Sequence, residues 1–246
     1  MCTLSIVPLP VSRVRFAFNR DERRTRPAGL PPIQREYGRH SALHPIDPAS
    51  GGTWLAVNDA GLVMAILNQN PVVKPDGVPR RSRGKIIAEL LSCDTPASAL
   101  NTAEKNFRFE DFAPFQLILA GQGSIARIKW DGQQSMVSSQ PFGGNPLMVT
   151  SSGLGDHLVD DVRRELFDSF LATPPEEWEK AQRAFHRHQW PDRPHLSVNM
   201  ARETTRTVSH SVIELTESLA TFEYWPDAPD KVDSSVIHSL KLTGNH

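Results

Sequence analysis

No stretch of this chain is long and apolar enough to cross a bilayer: the longest purely apolar run is LVMAIL, Leu62 to Leu67, against the ~20 residues a helical span needs. The amino end also lacks the order of a secretory signal, because Pro8 and Pro10 interrupt the opening run and Arg13 and Arg15 follow it. A cytoplasmic location is the expectation. Cysteine is scarce, and Cys2 and Cys93 alone cannot build a disulfide framework. Charge of one sign is missing too: 27 Lys and Arg stand against 28 Asp and Glu, interspersed, for a net charge of -1. No electropositive surface for nucleic acid is implied. Gly51-Gly52 and Gly143-Gly144 lack the spacing of a phosphate-binding loop, which argues against a doubly wound nucleotide fold.

What is present is enough apolar content, 39% of 246 residues, for the core of a single α+β domain over residues 1–246. CTLSIVP and VRFAFNRD read as strands. In the second, Val14, Phe16 and Phe18 alternate with Arg15, Ala17 and Asn19, the period of a strand with one buried face. From Arg23 to Ser50 the Pro-, Arg- and His-rich sequence shows neither period and predicts a long irregular excursion. GGTWLAVND and GLVMAILNQN flank Asp59-Ala60-Gly61 and predict a hairpin, with Asn68 near the end of its second strand.

After a Pro-rich break from Pro71 to Pro79, Ile86, Ile87, Leu90 and Leu91 share a helical face, and Thr95-Pro96 reads as the N-cap and first residue of another helix. Cys93, at that junction, reads as a small buried hydrophobe. FQLILAG, SIARIKW and QSMVSS predict three strands, the last two joined across Asp131-Gly132. Val162, Leu166, Phe167, Phe170 and Leu171 predict an amphipathic helix with Asp156 as its cap. A polar helix from about Pro175 to His188 and a strand pair, RTVSHSVIEL and ATFEYW, complete the order. Strands, helices, strands, helices, strands suit a layered domain with antiparallel sheets.

The chemistry concentrates at the start. A thiol attacks a carbonyl as thiolate, and an ordinary cysteine with a pKa of about 8.5 is only slightly ionised at neutral pH. Removal of Met1 would give Cys2 a free amine, whose pKa of about 7.7 to 8 suits it to take the thiol proton. Nucleophile and base would then be one residue. With Met1 retained, Cys2 is simply an inward-facing strand residue, and spacing alone does not separate the two readings.

The MC start, FAFNRDERRTRPAGLPP with Asn19-Arg20-Asp21-Glu22, GGTWLAVNDAGLVMAILNQNP and MARETTRTVSHS together resemble the NRDE family, which includes the transport and Golgi organisation protein 2 group. That family is in turn similar to the N-terminal nucleophile hydrolases of the choloylglycine hydrolase and penicillin V acylase type. The resemblance implies a four-layer αββα sandwich with two antiparallel sheets that cleaves amides with an N-terminal cysteine. It implies Cys2 as nucleophile and base and Asp21 as the group that orients its amine. The acylases place an arginine three residues before that aspartate. Here Phe18 stands at that position and Arg20 is the nearest candidate. AILNQNP resembles the acylase segment that lines the oxyanion site, implying Asn68 and the backbone N–H of Gln69. LMVTSSG resembles a second such segment, with Ser151 where an asparagine is expected. Arg202 falls where the acylases carry a late active-site arginine, and it reads equally as a surface charge.

Trp54 and the loop around His40 and His44 are candidates for a pocket mouth, with Trp54 also suited to the core. Asn19, Gln69, Ser151 and Trp54 are thus the expected binding residues, beside the catalytic set of Cys2, Arg20, Asp21, Asn68 and Arg202. His186, His188 and His195 lack the shared face and acidic partners of a metal site and read as solvated. Glu22, Arg23 and Arg24 read as a solvated charge cluster. No cofactor is implied, and the expected partner is a small molecule. The leading expectation is a hydrolase acting on a non-peptide C–N bond of a small amide. The alternative is a carrier of lipid, acyl-coenzyme A or haem on the same fold.

Overall fold

The computed structural model describes residues 2–71, 81–121, 123–231 and 234–243. Among the described residues, thirteen strands form two antiparallel sheets. The first runs in the order β10 (Leu147–Thr150), β1 (Cys2–Leu9), β2 (Arg13–Arg23), β11 (Thr205–Leu215), β12 (Leu219–Trp225) and β13 (Val236–Lys241). The second runs sequentially through β3 (Leu30–Tyr37), β4 (His40–Ile46), β5 (Leu55–Asn58), β6 (Val63–Asn68), β7 (Phe115–Gly121), β8 (Ser124–Trp130) and β9 (Ser135–Pro141). Helices α1 (Gly84–Leu90) and α2 (Pro96–Asn106) cover the second sheet at β6, β7 and β8, while α3 (Asp160–Leu171) and α4 (Trp178–Arg187) cover the first at β1, β2 and β10. The four-layer αββα sandwich expected from the sequence is the fold observed.

Strand parity explains the layering. Cys2, Leu4 and Ile6 of β1 and Phe16 and Phe18 of β2 face the second sheet and join one apolar core with Leu55, Leu117 and Ile118. The opposite face of these strands was expected to be wet, and it is not: Thr3, Ser5, Arg15 and Asn19 are all buried, facing α3 and α4. The helices meet them with polar side chains. Gln182 Nε2 donates to Ser5 Oγ (2.9 Å), and Arg15 Nε donates to Gln182 Oε1 (3.1 Å). A smaller apolar cluster of Val7, Leu9, Met148, Phe167, Phe185 and Val198 closes this layer.

Several local readings hold. The hairpin turns at Gly61, whose φ of +75° is the left-handed conformation glycine tolerates, and Asn58 Oδ1 receives the Leu62 N–H at 3.0 Å. Thr95 caps α2 by accepting the Ser98 N–H, and Ser98 Oγ accepts the Thr95 N–H, both at 3.0 Å, with Pro96 beginning the helix. Cys93 is buried.

Others need correction. The supposed excursion contains the β3–β4 hairpin, turning at Gly38 with φ +63°. Two of its prolines, Pro31 and Pro32, sit in the edge strand at a register shift, where a missing N–H costs little. Asp156 does not cap α3. Its carboxylate instead accepts the backbone N–H groups of Asn70 (2.8 Å) and Ser152 (2.7 Å), strapping the segment after β6 to the segment after β10. The Pro-rich break lies mostly outside the described residues. Among the described residues no helix is long and apolar enough to cross a membrane.

Candidate active site

Four strand termini meet at one end of the sandwich: the start of β1 and the ends of β2, β6 and β10. Cys2 lies opposite Arg20 in the β1–β2 register, and both face the gap between the sheets. Asp21, one residue on, faces the helical layer. One strand end thereby serves the thiol from two sides.

Cys2 is 7% exposed. Its backbone N–H donates to Ser151 Oγ (3.0 Å), and the Ser151 N–H donates to the Cys2 carbonyl (2.9 Å). Burial pushes the Cys2 thiol pKa up. The Asp21 charge adds to the rise, while the Asp21 backbone N–H and the Arg20 guanidinium offset part of it. Left to itself this thiol ionises less readily than a free cysteine, so reaction at neutral pH requires a base within reach.

Asp21 is held from β11. That strand bulges between Thr207 and Ser209 opposite Arg20 and Asp21, and Thr207 Oγ1 donates to Asp21 Oδ1 at 2.7 Å. Behind the carboxylate lies Arg163, 1% exposed and on the inner face of α3. Its guanidinium donates to the Leu196 carbonyl (2.9 Å), the Ser197 carbonyl (2.7 Å), Thr3 Oγ1 (3.1 Å) and Thr150 Oγ1 (2.6 Å). Burial raises the Asp21 pKa to about 6, with Arg163, Thr207 and Arg202 pulling the other way. Arg202, in the turn before β11, is felt by this carboxylate and by Arg163. The structure therefore brings Arg202 to the Asp21 side of the site.

A cavity of about 130 Å³ opens on the thiol side, lined by Cys2, Arg20, Trp54, Asn68 and Arg83 among others. The Arg20 guanidinium stacks on Trp54, 4.1 Å from the ring centroid, and lies 3.7 Å from Asp47 and 3.9 Å from Glu22. Trp54 is thus both core and wall. Arg83 arrives at the head of α1 because the chain crosses itself closely there. A Cβ on Gly52 would lie 2.6 Å from the Gly84 carbonyl carbon, and the Thr53 N–H donates to the Gly84 carbonyl at 3.0 Å.

Not every expected residue is at the site in its expected role. The Gln69 N–H donates to the Pro114 carbonyl (3.0 Å), and its side chain lines a separate cleft of about 460 Å³ with Gln116, Arg127 and Thr150. Asn19 faces the helices. Its Nδ2 donates to the carbonyls of His186 (2.8 Å) and Val198 (3.0 Å), and its Oδ1 meets His186 Nδ1 (3.0 Å) and His210 Nδ1 (2.8 Å). Ser151 is at the site, but its hydroxyl engages the Cys2 backbone. His186 is fully buried rather than solvated, with Nε2 at 2.7 Å from Ser5 Oγ. His188 is half-buried and His195 is exposed. His40 pairs with Asp59 (2.5 Å) and Asp94 (2.9 Å), tying β4 to the β5–β6 turn and the α1–α2 junction, while His44 pairs with Tyr37 (2.6 Å) across the β3–β4 hairpin, so both have structural partners.

Arg83, Arg163 and Thr207 were missed. An arginine inside an otherwise amphipathic pattern was the available signal for Arg163: with Val159 and Phe167 it falls on one helical face.

Comparison with known proteins agrees with this architecture. The family described as Transport and Golgi organisation 2 matches residues 1–221. No curated protein matches the chain significantly. Among solved structures, the chain is similar to a penicillin V acylase from Agrobacterium tumefaciens, with 14% identity and a TM-score of 0.56 over 99% of this chain and 86% of that one. It is similar to a Caenorhabditis elegans orthologue of N-acylethanolamine-hydrolyzing acid amidase, with 13% identity and a TM-score of 0.57 over 96% and 100%. A mutant conjugated bile acid hydrolase from Clostridium perfringens gives 11% identity and a TM-score of 0.57 over 100% and 99%. At such identities the likeness is one of fold.

Proposed function

Because the chain belongs to the Transport and Golgi organisation 2 family and has the fold of N-terminal nucleophile amide hydrolases, we propose that it is an N-terminal cysteine hydrolase acting on a non-peptide C–N bond of a small amide. Removal of Met1, which lies outside the described residues, leaves the Cys2 nitrogen as a free amine. That amine takes the thiol proton, and sulfur forms a bond to the amide carbonyl carbon. The resulting oxyanion is met by Asn68, whose side chain lines the same cavity. The protonated amine returns its proton to the leaving nitrogen as the C–N bond breaks. Water, deprotonated by the same amine, then hydrolyses the thioester and regenerates the thiol.

Asp21 orients the amine, Arg163 and Arg202 keep that carboxylate ionised, and Arg20 favours the thiolate. The observation that carries this reading is the pairing of Cys2 with Ser151. It fixes the nitrogen that must become the base while the thiol faces a cavity shared with Asn68. The test is turnover of a panel of short N-acyl aminocoumarins by the chain with its processed amino terminus, which Cys2→Ala should abolish.

One observation favours a carrier instead. The Gln69 N–H, which an oxyanion site of the acylase kind would use, is bonded to Pro114, leaving fewer donors for a tetrahedral intermediate. A carrier would keep its ligand affinity in Cys2→Ala.

A further inference from the structure

Each sheet ends in two edges, and a strand edge exposes unpaired backbone donors and acceptors that proteins ordinarily shield. Three of these edges are shielded. β3 carries Pro31 and Pro32, a register shift between Leu30 and Ile33, and the charges of Arg35 and Glu36. β10 has only four residues and packs against α3. β13 carries Lys241 and packs against β3 and β4. The fourth edge, β9, is bare apart from Pro141 at its last position. It runs seven residues in unbroken register with β8, and all seven are exposed, Met136 at 49% and Val137 at 40%. From Gln133 to Pro146 the sequence holds no charged residue, although 22% of the whole chain is charged.

The pairing with β8 fixes which groups of β9 stay free. The Phe142 N–H donates to the Gly123 carbonyl (2.7 Å) and the Asp131 N–H to the Gln134 carbonyl (3.3 Å), so the even-numbered residues of β9 exchange hydrogen bonds with β8. The N–H and C=O groups of Ser135, Val137 and Ser139 therefore point away from β8, with no strand beyond them among the described residues. We propose that this edge docks a second copy of the chain, β9 against β9, antiparallel about a twofold axis at Val137. That register sets Val137 beside Val137 of the second copy and Ser135 beside its Ser139, so each free N–H meets a free carbonyl. Charge selects this occupant. A neutral strand brought against its own twofold copy places no like charges together, and the copy offers the same length and the same spacing of free groups. Met136 also lines the cleft of about 460 Å³, so the second copy's strand extends that wall. Docking at β9 is independent of any chemistry at Cys2.

Sedimentation velocity of the full chain over about 1 to 100 μM, the range in which a small interface assembles, gives the test. The native protein should sediment with twice the mass of one chain at the upper end. Val137→Lys should weaken association at least about tenfold, because the axis sets the two introduced ammonium groups side by side. Val137→Glu should do the same through its carboxylates. Mixed in equal amounts, the two variants should recover the dimer, since opposite charges then meet at the axis. Val137 is exposed in the single chain, so both variants keep the fold, which far-ultraviolet circular dichroism checks. A native chain that stays monomeric throughout the range would overturn the proposal. So would a Val137→Lys protein that dimerises like the native one, or a mixture of the two variants that stays monomeric.

Discussion

Ser151 and Cys2 hold each other reciprocally: the Cys2 N–H reaches Ser151 Oγ at 3.0 Å, and the Ser151 N–H reaches the Cys2 carbonyl at 2.9 Å. Ser151 thus acts here on the position of the Cys2 nitrogen. Ser151→Ala should slow acylation of Cys2 on the order of tenfold by loosening that nitrogen. The pH–rate profile of acylation should shift with it, which a merely structural loss would not produce. Ser151→Thr should retain most of the rate.

The Asn68 side chain makes no hydrogen bond to other described residues, and the residue lines the thiol cavity. Asn68→Ala should therefore lower kcat on the order of 10²- to 10³-fold if the side chain meets the oxyanion. KM and the thermal midpoint should hardly move. Steady-state kinetics beside a melting curve checks both.

Asp21 titrates near 6 in the fold against 3.8 in the reference state. Between those values the native protein binds more protons than the unfolded chain, so this group's contribution to stability falls as pH rises from about 4 to about 6 and is constant above. Asp21→Asn removes the charged form. It should gain up to roughly 3 kcal/mol over the native protein at pH 7.5, and little of that at pH 4, while losing activity. Urea midpoints across the range give the comparison.

His210 moves the other way. Burial, with the charges of Arg15, Arg187 and Arg183, lowers its pKa to about 3, and His186 is likewise pushed well down by burial and by His210. Below pH 6.5 the unfolded chain gains protons that the folded chain refuses, so these groups lose stability as pH falls. In the window from about 4 to 6 they oppose Asp21. His210→Gln should flatten the loss between pH 6.5 and pH 5 relative to the unmodified protein, as read by urea titration at each pH.

The apolar frame of this fold was readable because period and turn chemistry agreed. The alternation through Phe16 and Phe18, the glycine at position 61 and the Thr95-Pro96 pair each describe a local rule that tertiary packing reinforces. The failures have one physical source. Polarity in the sequence reads as exposure, and here a polar sheet face is buried against helices carrying Gln182, His186 and Arg163. The edge strand with Pro31 and Pro32 escaped notice because an edge needs no regular pattern of donors. At the site, Cys2, Arg20, Asp21 and Asn68 line one cavity. Arg83 reaches them only through a long-range backbone crossing at Gly52 and Gly84, which no local spacing encodes. Gln69 left the expected set because its N–H closes the end of the β6–β7 pairing with Pro114.

Hydrolysis by this chain requires that the Cys2 nitrogen become a free amine beside a reactive thiol. Intact-mass spectrometry of the purified protein, before and after an activated thioester probe, reads both at once. The prediction is a chain lacking Met1 that gains one acyl group, mapped to Cys2 and absent from Cys93. A chain that keeps Met1, or one in which Cys2 labels no faster than Cys93, would contradict it.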